Sequence, residues 1–265
     1  MKSKISVFIS TAICGGVALG LATTTQADLI QNGQFTSLSL VSPQPGNAAT
    51  LDAGGQLGYN INADNWNITS GYTFVFNPDS ISSGVNGQYG NLSLYTSGDA
   101  NNAANGGLGD VIPAPNGGNI LASDGAFQLE PITQTITGLT PGDQYNVTYY
   151  FAGAQQHGFS SPTSEAWYVK LGNGSFVESP VVDNANHGFT GWEKTTATLT
   201  ADSTTDVLTF LAYGTPSGVP PFSLLSDISM EQVVAPEPSS VIGGGLVVLA
   251  LGVGSFRKFR QQKQA

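Results

Sequence analysis

Leu139-Thr140-Pro141-Gly142-Asp143, followed by Gln144-Tyr145-Asn146-Val147-Thr148-Tyr149-Tyr150-Phe151-Ala152, is the stretch that decides the fold class. Pro141 sets φ and Gly142 supplies a positive φ, so the first five residues predict a turn. Beyond it, Val147, Tyr149 and Phe151 alternate with Asn146, Thr148 and Tyr150, the period of two that gives a strand one buried face. Trp167, Val169 and Leu171 alternate with Tyr168 and Lys170 in the same way. Working outward, short β-rich runs between turn residues predict strands over Leu29–Phe35, Tyr72–Phe76, Asn91–Thr96, Phe127–Thr137, Gln144–Ala152, Ala166–Leu171, Glu193–Thr200, Val207–Tyr213 and Leu224–Val233. No helical periodicity of useful length and no fixed repeat interrupts them. The expectation is one all-β sandwich domain over residues 28–234, with Gly98–Gly118 as a long loop.

Charge narrows the function. The chain has 265 residues, 18 acidic and 8 basic. Six of the basic residues lie at the ends, leaving only Lys170 and Lys194 against 17 acids in residues 28–235, a net charge of −15. Nucleic-acid binding needs a basic footprint for phosphates, so that class is excluded. The low charged fraction, with 34 Gly and 14 Pro, argues against a helical bundle. Aromatic and β-branched residues throughout the middle argue against disorder.

The two ends have a different character. Lys2 and Lys4 precede an apolar run from Ile5 to Leu21, then Thr23-Thr24-Thr25-Gln26-Ala27. A charged start, apolar centre and small-residue exit predict a secretory signal peptide over residues 1–27. Cleavage after Ala27 would remove Cys14, the only cysteine, and with it disulfide, thiolate and Cys-ligated metal chemistry. At the other end, Pro236-Glu237-Pro238-Ser239-Ser240 leads into an apolar run, Val241 to Phe256, and then Arg257-Lys258-Phe259-Arg260. Those 16 residues would span about 24 Å as a helix, and adding the two serines (about 239–256) approaches a membrane-spanning length. The basic cluster would stay on the cytoplasmic side.

Pro236, Glu237 and Pro238, the glycine-rich apolar stretch, and Arg257, Lys258 and Arg260 together resemble the PEP-CTERM sorting signal of Gram-negative bacteria, over residues 235–265. The resemblance implies recognition by exosortase, a membrane protease, an inner-membrane intermediate, and delivery to the cell surface or an exopolysaccharide matrix. Other phrases resemble galactose-binding-like jelly rolls, a superfamily that includes many carbohydrate-binding modules. They are Asp28-Leu29-Ile30-Gln31-Asn32-Gly33-Gln34-Phe35, the early Trp66, Ile132-Thr133-Gln134-Thr135-Ile136-Thr137, and Leu224-Leu225-Ser226-Asp227-Ile228-Ser229-Met230. This resemblance implies a jelly-roll sandwich and a structural Ca²⁺ at Asp227 with a backbone partner near Asn32. Thr36 stands where sugar-binding relatives often carry an acid.

Enzyme chemistry lacks parts. His157 and His187 are the only histidines, and no zinc, nucleophile-elbow or phosphate-loop motif occurs. Glu130, Glu165, Glu178 and Glu193 could supply a glycosidase carboxylate pair, but sequence does not set their separation. Asp99-Ala100-Asn101 with Asp110 copies only part of an EF-hand loop. Sugar binding needs aromatic faces for ring stacking and amides for hydroxyls. Trp66, Trp167 and Trp192 are the platform candidates, with Gln155, Gln156 and His157 as loop donors; the alternative for each Trp is a core position, which Trp167 suits best and Trp192 least. Rows of Thr (133, 135, 137 and 196, 198, 200) resemble ice-binding surfaces. The expected protein is a non-enzymatic, exported binder or organiser of extracellular polysaccharide that requires no cofactor. Its alternative is an adhesive surface protein with protein partners; an ice-binding protein and a glycoside hydrolase rank below both.

Overall fold

The computed structural model describes residues 27–41, 47–69, 71–81, 83–95 and 114–234. The signal peptide, the sorting tail with its membrane helix, the Asp99–Asp110 motif and most of Gly98–Gly118 lie outside the described residues. Among the described residues no helix is long and apolar enough to cross a membrane.

Among the described residues fifteen strands follow one another: β1 (Leu38–Leu40), β2 (Gly54–Gln56), β3 (Ile61–Ala63), β4 (Thr73–Phe76), β5 (Val85–Gly87), β6 (Gly90–Leu92), β7 (Ile120–Asp124), β8 (Ile132–Thr137), β9 (Gln144–Gln155), β10 (Thr163–Leu171), β11 (Val177–Glu178), β12 (Val182–Asn184), β13 (Glu193–Thr200), β14 (Thr205–Thr215) and β15 (Pro221–Gln232). A six-stranded sheet runs β13-β9-β15-β7-β4-β2. A five-stranded sheet runs β11-β10-β14-β8, with β12 also on β10. All these pairs are antiparallel. From β7 to β10 and from β13 to β15 each strand passes to the opposite sheet, the winding of a jelly-roll sandwich.

The deciding stretch folds as its pattern demands. Asp143 N–H donates to Thr140 O across the Pro141-Gly142 turn, with Gly142 at φ 87°. The Tyr145 hydroxyl accepts from Thr140 N, tying turn to strand. Tyr145, Val147, Tyr149 and Phe151 are buried while Asn146, Thr148 and Tyr150 are half-buried. From Phe151 to Gln155 every residue is buried, because here the sheet is covered on both faces.

That double cover gives two cores. Val75, Leu121, Phe151 and Leu225 join Trp167 and Phe210 between the sheets. Phe74, Phe76, Ile120, Ala122, Phe222 and Leu224 pack on the opposite side, against Ile81, Val85, Leu92 and Leu94 from the segment that follows β4. This second layer positions the candidate site.

Some expected strands differ. Leu29–Phe35 is a run of bends and turns, with Asn32 at φ 54° and Phe35 at φ 53°. Gly33 allows Ile228 O to come within 2.0 Å of where a Cβ would sit, so the chain turns inward against β15. Phe127–Pro131 is loop, and the strand begins only after Pro131. In the described part of the expected Asn91–Thr96 strand, residues 91–95, ladder pairing ends at Leu92, and Leu94 forms an isolated bridge to Gln156. β7 was not anticipated: all five of its residues are buried, so no alternation marks it.

Candidate functional site

Four connections and the start of β4 meet at one end of the second layer. They are the β5–β6 hairpin tip, the β7–β8 loop, the β9–β10 turn and the β14–β15 turn. They enclose a groove of about 430 Å³, lined chiefly by Tyr72, Tyr89, Phe127, Phe159, Asp124 and Gln156. This falls in the usual size range of small-ligand sites, about 300–1,000 Å³.

Tyr72 is the hub. It is buried, with its ring 5.4 Å from Phe127 edge-on, 5.9 Å from Tyr89 and 4.9 Å from Phe74. Tyr89 and Phe127 stand above it, 65% and 45% exposed, and Phe159 is 38% exposed. Backbone ladders hold this arrangement: Tyr72 N–H donates to Gln128 O, and Asp124 N–H donates to Tyr72 O. The Gln128 amide donates to the Tyr89 hydroxyl at 3.0 Å and accepts from Gln88 Nε2. Beyond that contact lies a second cleft of about 380 Å³, rich in amides and hydroxyls from Gln56, Tyr59, Thr69, Gln88 and Gln128.

The groove's floor is electrostatically tuned. Asp124 Oδ1 accepts from Ala126 N–H at 2.9 Å. Burial pushes its carboxyl up to about 6, although the Ala126 and Phe127 N–H groups pull the other way. Tyr72 is pushed up to about 12, first by burial and then by the Asp124 and Tyr89 charges. At neutral pH the groove therefore offers an ionised acceptor at its base, a phenol that stays protonated, and aromatic faces above them.

Few of the predicted site residues come here. Gln156 lines the groove. Gln155 does not: it is fully buried, donating to Ser161 O and accepting from His187 N–H. His157 is exposed, its N–H donating to Ser93 O and its ring 4.8 Å from Tyr95. Trp66 is a core residue, not a platform; it packs on Phe35 and Phe210 and donates to Asn32 O. Trp192 is half-buried with its ring against Phe189, and lines no part of the groove. Trp167 lies in the core, donating to Leu224 O. Pro236, Glu237, Pro238, Arg257, Lys258 and Arg260 lie outside the described residues. The ring-bearing residues that the sequence reading does not single out share a local sign: Tyr89-Gly90, Gly158-Phe159 and Gly125-Ala126-Phe127 each put an aromatic within two residues of a glycine.

The expected calcium position does not fit a cation. Asp227 accepts from Gln34 Nε2 on one oxygen and Asn116 N–H on the other. Asn32 Oδ1 accepts from Ser37 N–H, and its backbone O accepts from Trp66. Donors surround these oxygens, where a Ca²⁺ site needs acceptors. Among the described residues no group of three or more His, Cys, Asp or Glu gathers. The two Thr rows stand on different sheets, one on β8 and one on β13, and so form no common plane. Of the four glutamates considered for a carboxylate pair, none lines the aromatic groove.

No protein-family model and no curated protein matches the chain. Among solved structures it is similar to TmCBM61 in complex with beta-1,4-galactotriose (TM-score 0.40, 11% identity, 78% of this chain and 100% of that one). It is also similar to the CBM22-1 xylan-binding domain from Paenibacillus barcinonensis Xyn10C (0.35, 12%, 81% and 100%). A third is the MgGH51 α-L-arabinofuranosidase (0.37, 14%, 78% and 26%). Likeness at this level carries no ligand and no residue role across to this chain.

Proposed function

We propose that this protein binds extracellular polysaccharide, without catalysis, through the Tyr72–Tyr89–Phe127–Phe159 groove. The observation that carries the proposal is the exposure of three aromatic rings around one concave site, beside a buried carboxylate and an amide-rich cleft. Exposed aromatic surface gathered in a groove marks a binding site more often than chance. Sugar rings present apolar faces to stack and hydroxyls to bond, which is the chemistry lined up here. Because a second cleft adjoins the Gln88–Gln128 contact, the site suits an internal stretch of a glycan chain rather than a single terminal sugar. The proposal also includes export, and sorting to the cell surface or matrix by an exosortase acting on the 235–265 tail. This half rests on the sequence pattern of the ends.

The test of binding is calorimetric titration of the protein with its host's exopolysaccharide. Burying one aromatic side chain is worth about 1.5–3 kcal/mol, so Tyr89→Ala and Phe127→Ala should each weaken binding roughly 10- to 150-fold. Trp192→Ala should leave it unchanged. Absence of heat at any accessible concentration refutes the sugar reading and favours a protein-binding adhesive surface. For sorting, the intact mass from the native host decides: a product retaining Arg257–Ala265 refutes processing.

A further inference from the structure

At the end of the sandwich core, away from the groove's lining, buried oxygens collect without partners. Glu165 on β10 is fully buried, and no hydrogen bond of normal geometry reaches either carboxylate oxygen. Thr163 lies two residues earlier on the same face of β10, and its hydroxyl, which acts on the Glu165 carboxyl, makes no hydrogen bond of normal geometry. Asn184 on β12 is directly opposite Thr163 in the antiparallel register, 2% exposed, with both amide atoms unpartnered. Asn186, in the turn that follows, has an unpartnered Oδ1.

The surroundings make room for these oxygens. A Cβ on Gly153, across on β9, would come within 2.3 Å of Glu165 Oε2. A Cβ on Gly188 would come within 2.5 Å of Asn184 Oδ1. The lysines of the body are engaged elsewhere, Lys170 over the Phe176 ring and Lys194 over Tyr150. Burial holds the Glu165 carboxyl well above its usual range, and the Asp183 charge adds to this, while the Thr163 hydroxyl opposes it. Buried polar groups in native proteins are nearly always bonded, and a buried charge is paired or holds a metal. Protonating Glu165 would supply a single O–H donor, enough for one of the Asn and Thr oxygens but not all of them. A cation would satisfy the five oxygens together, and only Asn184 Nδ2 would still need an acceptor.

We infer that Glu165, Thr163, Asn184 and Asn186 form a calcium site. They offer five oxygens: two from one carboxylate, one hydroxyl and two amide carbonyls. Hard, mostly neutral oxygen donors with a bidentate carboxylate suit Ca²⁺, which takes about 6–8 oxygens including waters, and do not suit Zn²⁺. A shallow groove of about 340 Å³ opens to solvent beside two of the four residues, Thr163 and Asn184. Bound there, Ca²⁺ would clamp β12 to β10 at the rim of the sandwich.

The test is calorimetric titration of the full chain, stripped with EGTA, with CaCl₂, alongside thermal melts with and without calcium. One site per chain and a calcium-raised Tm are expected for wild type. Glu165→Gln should abolish both, while its metal-free Tm should equal or exceed that of wild type, since an uncompensated buried carboxylate is gone. Asn184→Ala should weaken calcium binding, and Asp227→Asn should retain it. No calcium binding up to roughly 10 mM, beyond the weak range of extracellular calcium modules, overturns the inference. So does binding that survives in Glu165→Gln or is lost in Asp227→Asn. None of these outcomes depends on sugar binding.

Discussion

Replacing Asp124 with Asn probes the floor of the groove. The side chain is 1% exposed and its carboxyl is raised from 3.8 to about 6, chiefly by burial. At about 1.36 kcal/mol per pH unit, that shift corresponds to about 3 kcal/mol. The raised value means the folded protein holds this proton more tightly than the unfolded chain does. The stabilisation is therefore complete below about pH 3.8 and is lost as pH rises through about 6. Above that, wild type carries an ionised, desolvated carboxylate, whereas Asn at this position cannot ionise. The stability of Asp124→Asn relative to wild type should rise by about 3 kcal/mol between roughly pH 3.5 and 7.5. In a domain of this size that equals about 6–12 °C in Tm.

Urea unfolding of both proteins at pH steps across that window, followed through the buried Trp66 and Trp167, measures the difference. Other titrating groups, Glu165 among them, occur in both proteins and cancel. A difference that stays flat to within about 1 kcal/mol would refute a desolvated carboxylate beneath the aromatic rings.

Trp66→Ala, which removes a ring packed between Phe35 and Phe210, should cost about 3–5 kcal/mol in urea denaturation. Tyr145→Phe removes only the acceptor for Thr140 N–H and should cost about 1 kcal/mol by the same measurement. In Gly125→Ala the new Cβ would meet Gly214 N at 2.2 Å and the Tyr213 carbonyl carbon at 2.3 Å, both backbone. The loss should be about 3 kcal/mol or more, and ligand binding should fall with it, because this glycine leads into the Phe127 loop.

The sandwich was legible in the sequence because most of its strands have one face toward a core, and alternation reports that geometry. β9 shows both the strength and the limit. Its Tyr145–Phe151 half alternates and is recognisable as a strand; its Ala152-Gly153-Ala154 half loses the pattern where the second layer covers it. β7 vanished for the same reason. The site was less legible. Tryptophans drew attention by size, yet Trp66 and Trp167 are large enough to be the core itself, while the exposed rings are Tyr and Phe on turns. Nothing local tells that Tyr72, Tyr89 and Phe127, spread over 56 residues of chain, meet on one hub. Asp227 misled because an acid in a last strand looks the same whether its oxygens face a cation or, as here, Gln34 and Asn116.

A second aromatic surface competes with the groove, and the contacts decide between them. On the five-stranded sheet Tyr168 lies 5.9 Å from Tyr213 and 6.1 Å from Phe176. These rings are already engaged: Lys170 Nζ sits 5.0 Å from the Phe176 centroid, and the Tyr168 hydroxyl donates to Glu178. A glycan stacking there would have to displace a cation–π contact worth about 0.5–1 kcal/mol at an exposed site. In the groove, Tyr89 and Phe127 are supported from below by Tyr72, with much of their surface still exposed. Tyr213→Ala should therefore bind polysaccharide as wild type does while Tyr89→Ala loses it. The reverse result in the same titration would move the site to the sheet face, and the role assigned to Asp124 would go with it.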